Sequence, residues 1–277
     1  MQLGVLVLLA LLAFAANSVL CRMALHTTDI DPYSFTLIRM VSAVVMLAII
    51  LMPKRALLAG IKAGSWQSAG WLLLYAVCFS LSYIELTAAT GALVLFATVQ
   101  IVMLAIAWRR GDTFCWQQML GFAAAVLGLL WLLSPGLSAP EPIASLLMIA
   151  AGAGWAKYTL AGQGGGDPTQ VTLGNFARTV PILLVLCVFM LTQVSLPMTG
   201  ILYAIASGAV ASGVGYALWY AALPFLKAST AATLQLSVPV IAAIGGVVLL
   251  DEQMTMRLVV ASIAILGGVA VVLRYRR

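Results

Sequence analysis

Apolar residues run along this chain in long, nearly unbroken blocks, and polar residues are gathered into short knots between them. The blocks lack the two-residue alternation of a half-buried strand and the one-faced stripe of a soluble amphipathic helix. Each holds about 20 residues, the length that spans a hydrocarbon core of roughly 30 Å at 1.5 Å per residue. Ten are predicted, at 3–25, 33–52, 68–87, 90–108, 116–134, 143–162, 169–191, 199–223, 228–250 and 255–273. The stretch Ala228–Leu273 displays the pattern most clearly: an apolar arm, the knot Asp251-Glu252-Gln253-Met254-Thr255, and a second arm, which together read as a helical hairpin. Pro239 falls well inside the first arm, where it is expected to free a carbonyl that a neighbouring helix or a water-lined cavity must satisfy.

Composition agrees with that pattern. Of 277 residues, 64% are hydrophobic and 8% charged, against about 25% charged in soluble domains. The class is a polytopic, all-α membrane protein with no room for a soluble domain. A net charge of +6 is therefore read as membrane orientation rather than nucleic-acid binding. With the N-terminus inside, the cytoplasmic segments carry Lys54, Arg55, Lys62, Arg109, Arg110, Lys227, Arg274, Arg276 and Arg277, and the outer ones only Arg22 and Arg257. That bias favours an even number of spans and two cytoplasmic termini. Ala13-Phe14-Ala15 imitates a cleavage site, but no basic residue precedes the first apolar run and the run continues past it, so a span is expected instead. Cys21, Cys78, Cys115 and Cys187 are far apart and read as reduced packing residues.

The order of elements repeats. A shift of 140 residues lays 88–134 on 228–274 and matches Ala88, Thr90, Ala92, Ile101, Ala124, Gly128 and Leu133 with Ala228, Thr230, Ala232, Ile241, Ala264, Gly268 and Leu273. Identities weigh little in so apolar a stretch. The shared order of short turn, helix, charged knot and helix weighs more. Two units, 1–138 and 139–277, with five spans each, would insert with opposite topology, the signature of inverted-repeat secondary transporters. Gly162-Gln163-Gly164-Gly165-Gly166-Asp167-Pro168 follows a helix and precedes no Gly-Lys-Ser/Thr, so it reads as a hinge rather than a phosphate cradle.

The C-terminal hairpin resembles the EamA type of the drug/metabolite transporter superfamily. The resemblance rests on Ala228, Ser229, Ala231 and Ala232, then Pro239, then Leu249-Leu250-Asp251-Glu252, then Leu266-Gly267-Gly268-Val269. Asp251-Glu252 stands where the family usually has Gly-Glu, and Arg109-Arg110-Gly111-Asp112 departs from its acidic turn. The resemblance extends over essentially the whole chain. It implies ten transmembrane helices in two inverted five-helix repeats, and a secondary transporter of the plasma membrane that exports small metabolites such as amino acids. Nucleotide-sugar or organophosphate exchangers of the same superfamily are the alternative. The resembled family also carries a Trp-x-x-Tyr-like pattern on the sixth span, whose face lines the central cavity; here it falls on Trp155 and Tyr158.

Polar and aromatic residues at mid-span are the candidate site, because such groups need a partner helix or a solvated cavity. They are Asn17, Tyr83, Gln100, Trp155, Tyr158, Tyr216 and Gln235 as substrate-binding residues, with Glu85 and Lys157 as charge or coupling candidates. Tyr158 and Thr159 share the helix face of Trp155, whereas Lys157, about 200° away, faces elsewhere. The third, fourth, sixth, eighth and ninth spans are expected to line the cavity. Glu85 has a plainer alternative as an interfacial carboxylate paired with Arg22 or Arg39. Arg39 and Arg178 are expected to pair with loop acids such as Asp29, Asp31 or Asp167. One histidine, His26, builds no multi-histidine metal site. Neither His-Glu-x-x-His nor a pair of intramembrane aspartates is present, so an enzyme is not expected. A structural or sensor protein would not require amides and aromatics at mid-depth. No cofactor or nucleic acid is called for; the expected partners are a small solute and the bilayer, and a monomer suffices although a homodimer is compatible.

Overall fold

The computed structural model describes residues 3–53, 55–111, 113, 115–136, 139–162, 166–190, 194–226 and 234–275. Several residues used above lie outside these: Lys54, Asp112, Gln163 to Gly165, Lys227, Ala228 to Ala232, Arg276 and Arg277. Among the described residues the chain is all helix. The helices are α1 (Leu3–Thr27), α2 (Pro32–Leu51), α3 (Leu57–Lys62), α4 (Trp66–Ser82), α5 (Ala88–Arg109), α6 (Trp116–Leu133), α7 (Pro142–Ala161), α8 (Pro168–Phe189), α9 (Met198–Ile205), α10 (Gly215–Ala222), α11 (Ser237–Leu250) and α12 (Met256–Arg274). A π-helical segment, Ala206–Val214, joins α9 to α10.

Eight helical stretches are long and apolar enough to cross a membrane, with α9 to Phe225 counted as one. The other two expected spans are shorter than their apolar blocks. α4 has 17 residues and stops at Ser82 because the chain turns at Tyr83. α11 has 14 residues and starts only at Ser237. Pro239 is in the first turn of α11, but Leu234 and Gln235 before it are also helical and Leu236, between them and Ser237, is αR, so the missing N–H leaves the Gln235 carbonyl without its usual i+4 donor. The interruption at Leu236 is one residue long, with helix on both sides of it. The eighth block also departs from one regular helix, since its middle widens into the π segment.

Local chemistry explains the other ends. Asp31, Ser65, Thr87, Glu141, Asp167 and Thr255 accept first-turn N–H groups of α2, α4, α5, α7, α8 and α12, which satisfies donors that lipid cannot. Pro32, Pro142 and Pro168 open three of these helices. Cys115 takes the same position at α6 and is exposed, so it is not the packing residue expected.

The helices pack in recurrent pairs: α6 along α12, α4 along α7, α2 along α8 and the π segment, α5 along α7 and α11, and α1 along α10 and α11. Glycine sets the closest crossing. A side chain at Gly121 would strike the Gly268 carbonyl, and one at Gly268 the Gly121 carbonyl, so α6 and α12 meet backbone to backbone. Large apolar side chains such as Leu127, Leu130, Ile244, Val248 and Ile263 point outward, as expected where the solvent is lipid.

Candidate binding cavity

Side chains from both parts of the chain converge on a small cavity at mid-bundle. It offers ≈ 40 Å³ to water centres, and its walls are Phe14, Asn17 and Ser18 of α1, Tyr75 and Phe79 of α4, Leu95 and Phe96 of α5, Trp155 of α7, Ala211 and Ser212 of the π segment, Tyr216 of α10, and Gln235. That is room for a few waters. A larger apolar recess of ≈ 470 Å³ lies between α5, α11 and α12, walled by Leu93, Pro239, Ala243, Leu258 and Leu266 among others. It opens on the flank and offers almost nothing to orient a polar solute. The smaller cavity is therefore the functional candidate.

The wall residues Asn17 and Tyr75 belong to a connected network that continues behind the wall. Ser207 donates to Asn17 Oδ1 at 2.7 Å, Asn17 Nδ2 donates to the Tyr75 hydroxyl at 3.2 Å, and Arg39 Nη2 donates to the same hydroxyl at 3.0 Å. Ser207 reaches Asn17 because the π segment turns it inward against α1; π segments often mark functional positions. Gly208 lets the same segment close on the Arg39 carbonyl and Ser42 of α2.

The apolar wall is a ring cluster. Trp155 stands 4.9 Å from Tyr75 and 5.5 Å from both Tyr158 and Tyr216, measured between centroids. Phe14 meets Tyr216 edge-on at 5.7 Å, and Phe176 does so at 6.0 Å. These arrangements contribute about 0.5–1.5 kcal/mol per pair beyond burial, so the rings define a shaped pocket rather than a loose lining.

Of the residues singled out from sequence, Asn17, Trp155, Tyr216 and Gln235 line the cavity. Tyr158 is buried behind Trp155. Tyr83 is fully buried beyond Phe79, edge-on at 4.7 Å, with its hydroxyl unpartnered among the described residues. Gln100 is buried one turn beyond Phe96 and outside the lining. Glu85 is exposed, and so is Lys157, whose ammonium lies 6.0 Å from the Trp71 ring centroid. α1 joins the expected spans in lining the cavity, with Phe14, Asn17 and Ser18 at i, i+3 and i+4. Tyr75 and Phe79 were also missed, although their four-residue spacing puts them on one helix face.

Among the described residues neither Arg39 nor Arg178 pairs with a loop acid as expected. Asp31 and Asp167 cap helices instead. Arg178 donates to the carbonyls of Lys62, Ala63 and Gly174, which ties α8 to the α3–α4 turn. Arg39 is 1% exposed; its guanidinium lies 5.4 and 5.0 Å from the Tyr75 and Phe79 centroids, and Nε and Nη1 have no partner among the described residues. Burying an ion costs several kcal/mol. A desolvated cation–π contact returns about 2 kcal/mol, and one charged hydrogen bond about 1.5–3 kcal/mol.

Arg22 is treated differently. Its Nε lies 3.4 Å from Glu252 Oε1, and Nη1 donates to the Tyr83 and Ile84 carbonyls at 3.0 and 2.6 Å. Glu252, not Glu85, is its carboxylate. Glu252 also accepts the Ala88 N–H at the start of α5, at 2.9 and 3.0 Å. The α11–α12 turn is thereby bolted to α1 and to the α4–α5 turn. Near the same end, Asp31 accepts from the Ser195 N–H at 3.2 Å.

Comparison with known proteins places this architecture. The EamA-like transporter family matches residues 142–274, from α7 to the end of α12. Along almost its full length the chain resembles a protein of Pseudomonas aeruginosa named Uncharacterized protein PA1977: 47% identical over 271 residues, 98% of this chain and 94% of that one. A solved structure titled "Crystal structure of protein" shares the fold, with a TM-score of 0.66 and 18% identity over 95% of this chain and 94% of the other. The chain belongs to the EamA-like transporter family, within the drug/metabolite transporter superfamily, and is an integral membrane protein of transporter type.

Proposed function

We propose that the protein is a secondary transporter of the plasma membrane that exports small metabolites by alternating access, with solute held in the mid-bundle cavity. The observation that carries this reading is the cavity's double ownership. Asn17, Tyr75 and Phe79 come from the first half of the chain, and Trp155, Tyr216 and Gln235 from the second. Rocking of one half against the other would therefore open the site toward either face.

Ten crossing segments in two inverted five-span repeats, 1–138 and 139–277, belong to this reading. Counting α9 to Phe225 as one span and adding α4 and α11 gives ten. Exchange of each span with the one five places later carries the packing of α4 on α7 into that of α1 on α9 and α10. It carries α5 on α7 into α1 on α11, and it leaves α6 on α12 unchanged. A pseudo-two-fold relation of this kind supports the repeat. The basic residues then put both termini in the cytoplasm, with the Arg22–Glu252 bolt on the outer face. The cavity's rings and amides come from a single chain, so a monomer suffices.

The organophosphate alternative needs several cations at the cavity. Lys157 is exposed beside Trp71 and Arg178 is engaged by backbone carbonyls, which weighs against it. The test is a metabolite-toxicity screen in cells overproducing the protein, followed by counterflow of each hit in proteoliposomes. Protection without counterflow, or no protection at all, would overturn the reading.

A further inference from the structure

Behind the Tyr75 and Phe79 rings of the cavity wall lies a charge with no counter-ion among the described residues. Arg39 is 1% exposed on α2, about 10 Å from that helix's start at 1.5 Å per residue. Asp29, Asp31, Glu85, Glu141, Asp167, Asp251 and Glu252 are the described acids. Among the described residues the one side-chain ion pair is that of Arg22 with Glu252. Arg39 Nη2 instead donates to the Tyr75 hydroxyl, and Nε and Nη1 remain unpartnered among the described residues. A buried guanidinium with donors that the protein does not use is suited to balance an anion brought to its neighbourhood.

The network fixes what the cavity presents. The Tyr75 oxygen accepts from both Arg39 Nη2 and Asn17 Nδ2, which occupies its two lone pairs. Ser207 donates to Asn17 Oδ1, and this holds the Asn17 amide in the orientation that donates to Tyr75. The phenolic hydrogen is then free to donate, and the ring to which it belongs lines the cavity. A guanidinium behind a hydroxyl polarises it and makes it a stronger donor. The remaining wall is rings and apolar side chains, chiefly Phe14, Phe79, Trp155 and Tyr216.

We infer that the solute is a carboxylate with an apolar or aromatic body, held by the Tyr75 hydroxyl at its carboxylate, with Arg39 behind Tyr75 as its counter-charge and the ring cluster around its body. This deepens the transport reading of the same cavity. Arg39 is a positioning charge that acts through Tyr75, and direct contact follows only if the α2–α4 seam opens. Carriage of the anion cancels the buried positive charge in the loaded state, so the loaded carrier has less charge to desolvate than the empty one as the halves move.

The test uses the purified full chain in detergent. Unfolding midpoints are measured against matched pairs: benzoate and benzamide, phenylacetate and phenylacetamide, 3-phenylpropionate and its amide, 4-methylvalerate and its amide. At least one carboxylate is expected to bind tenfold or more tightly than its amide. Arg39→Met should bring that ratio close to one. Tyr75→Phe, which removes only the hydroxyl, should lower carboxylate affinity several-fold and amide affinity by distinctly less, since the bond to a charged acceptor is the stronger; it also serves if Arg39→Met does not fold. Equal or tighter binding of the amides, or no binding by any carboxylate, would overturn the inference. Counterflow of the same pairs in proteoliposomes separates the two readings. Amides that exchange as well as acids would sink the anion site and leave transport standing. Acids that bind selectively but never exchange would leave the anion site standing and sink transport.

Discussion

Two arginines are buried on consecutive helices, and they have opposite surroundings. Arg22 meets a carboxylate and two carbonyls and joins three turns at one end of the bundle. Arg39 meets two ring faces and one hydroxyl, and its remaining donors are idle among the described residues. The difference teaches how to tell a structural charge from a functional one inside a membrane protein. Both are costly to bury. The one whose partners are all present holds the fold, and the one with idle donors beside a cavity is placed for something that arrives later.

The largest effect should follow from breaking the satisfied pair. Glu252→Ala leaves Arg22 buried with no acid and strips the α5 start of its acceptor; the protein should lose about 3–5 kcal/mol of stability, read as a lowered unfolding midpoint in detergent. The double variant Arg22→Met with Glu252→Leu should recover the part of that loss due to the unpaired charge, and not the part due to the Ala88 N–H. A Glu252→Ala protein as stable as the parent would erase the distinction between the two arginines.

Arg39→Met is the reciprocal case. No acid is orphaned, so stability should stay within about 1 kcal/mol of the parent or rise, while transport falls at least tenfold. A destabilisation as large as that of Glu252→Ala would make Arg39 structural.

Smaller effects separate the cavity face of α7 from its outer face. Trp155→Ala should cut transport sharply at near-normal membrane abundance, because the indole lines the cavity. Lys157→Met should keep solute selectivity and change abundance or rate only modestly, since its ammonium lies against Trp71 on the exposed side. The reverse pattern, seen in paired uptake and abundance assays, would transfer the site to the lysine.

Helix ends give a milder version of the same contrast. Asp31→Ala removes the α2 cap and the Ser195 contact, so about 1–2 kcal/mol should be lost. Thr255→Ala, which removes only a cap, should cost about 1 kcal/mol or less; both are read from unfolding midpoints.

Hydropathy is a sum over neighbours in the chain, so the sequence alone determined the membrane class, the apolar blocks and the family resemblance. It also made Asn17, Trp155, Tyr216 and Gln235 visible, because amides and rings stand out at mid-span. What it could not contain is distance across the bundle. Arg22 finds Glu252 230 positions away, and Asn17 finds Ser207 190 positions away. Tyr75 becomes the centre of the network only once α1, α2 and α7 close around α4. The π segment in the eighth block, the short α11 and the idle donors of Arg39 likewise depend on which helices pack together. Pairing of charges in a low-dielectric interior is decided by geometry over a few ångströms, and only the tertiary structure sets that geometry.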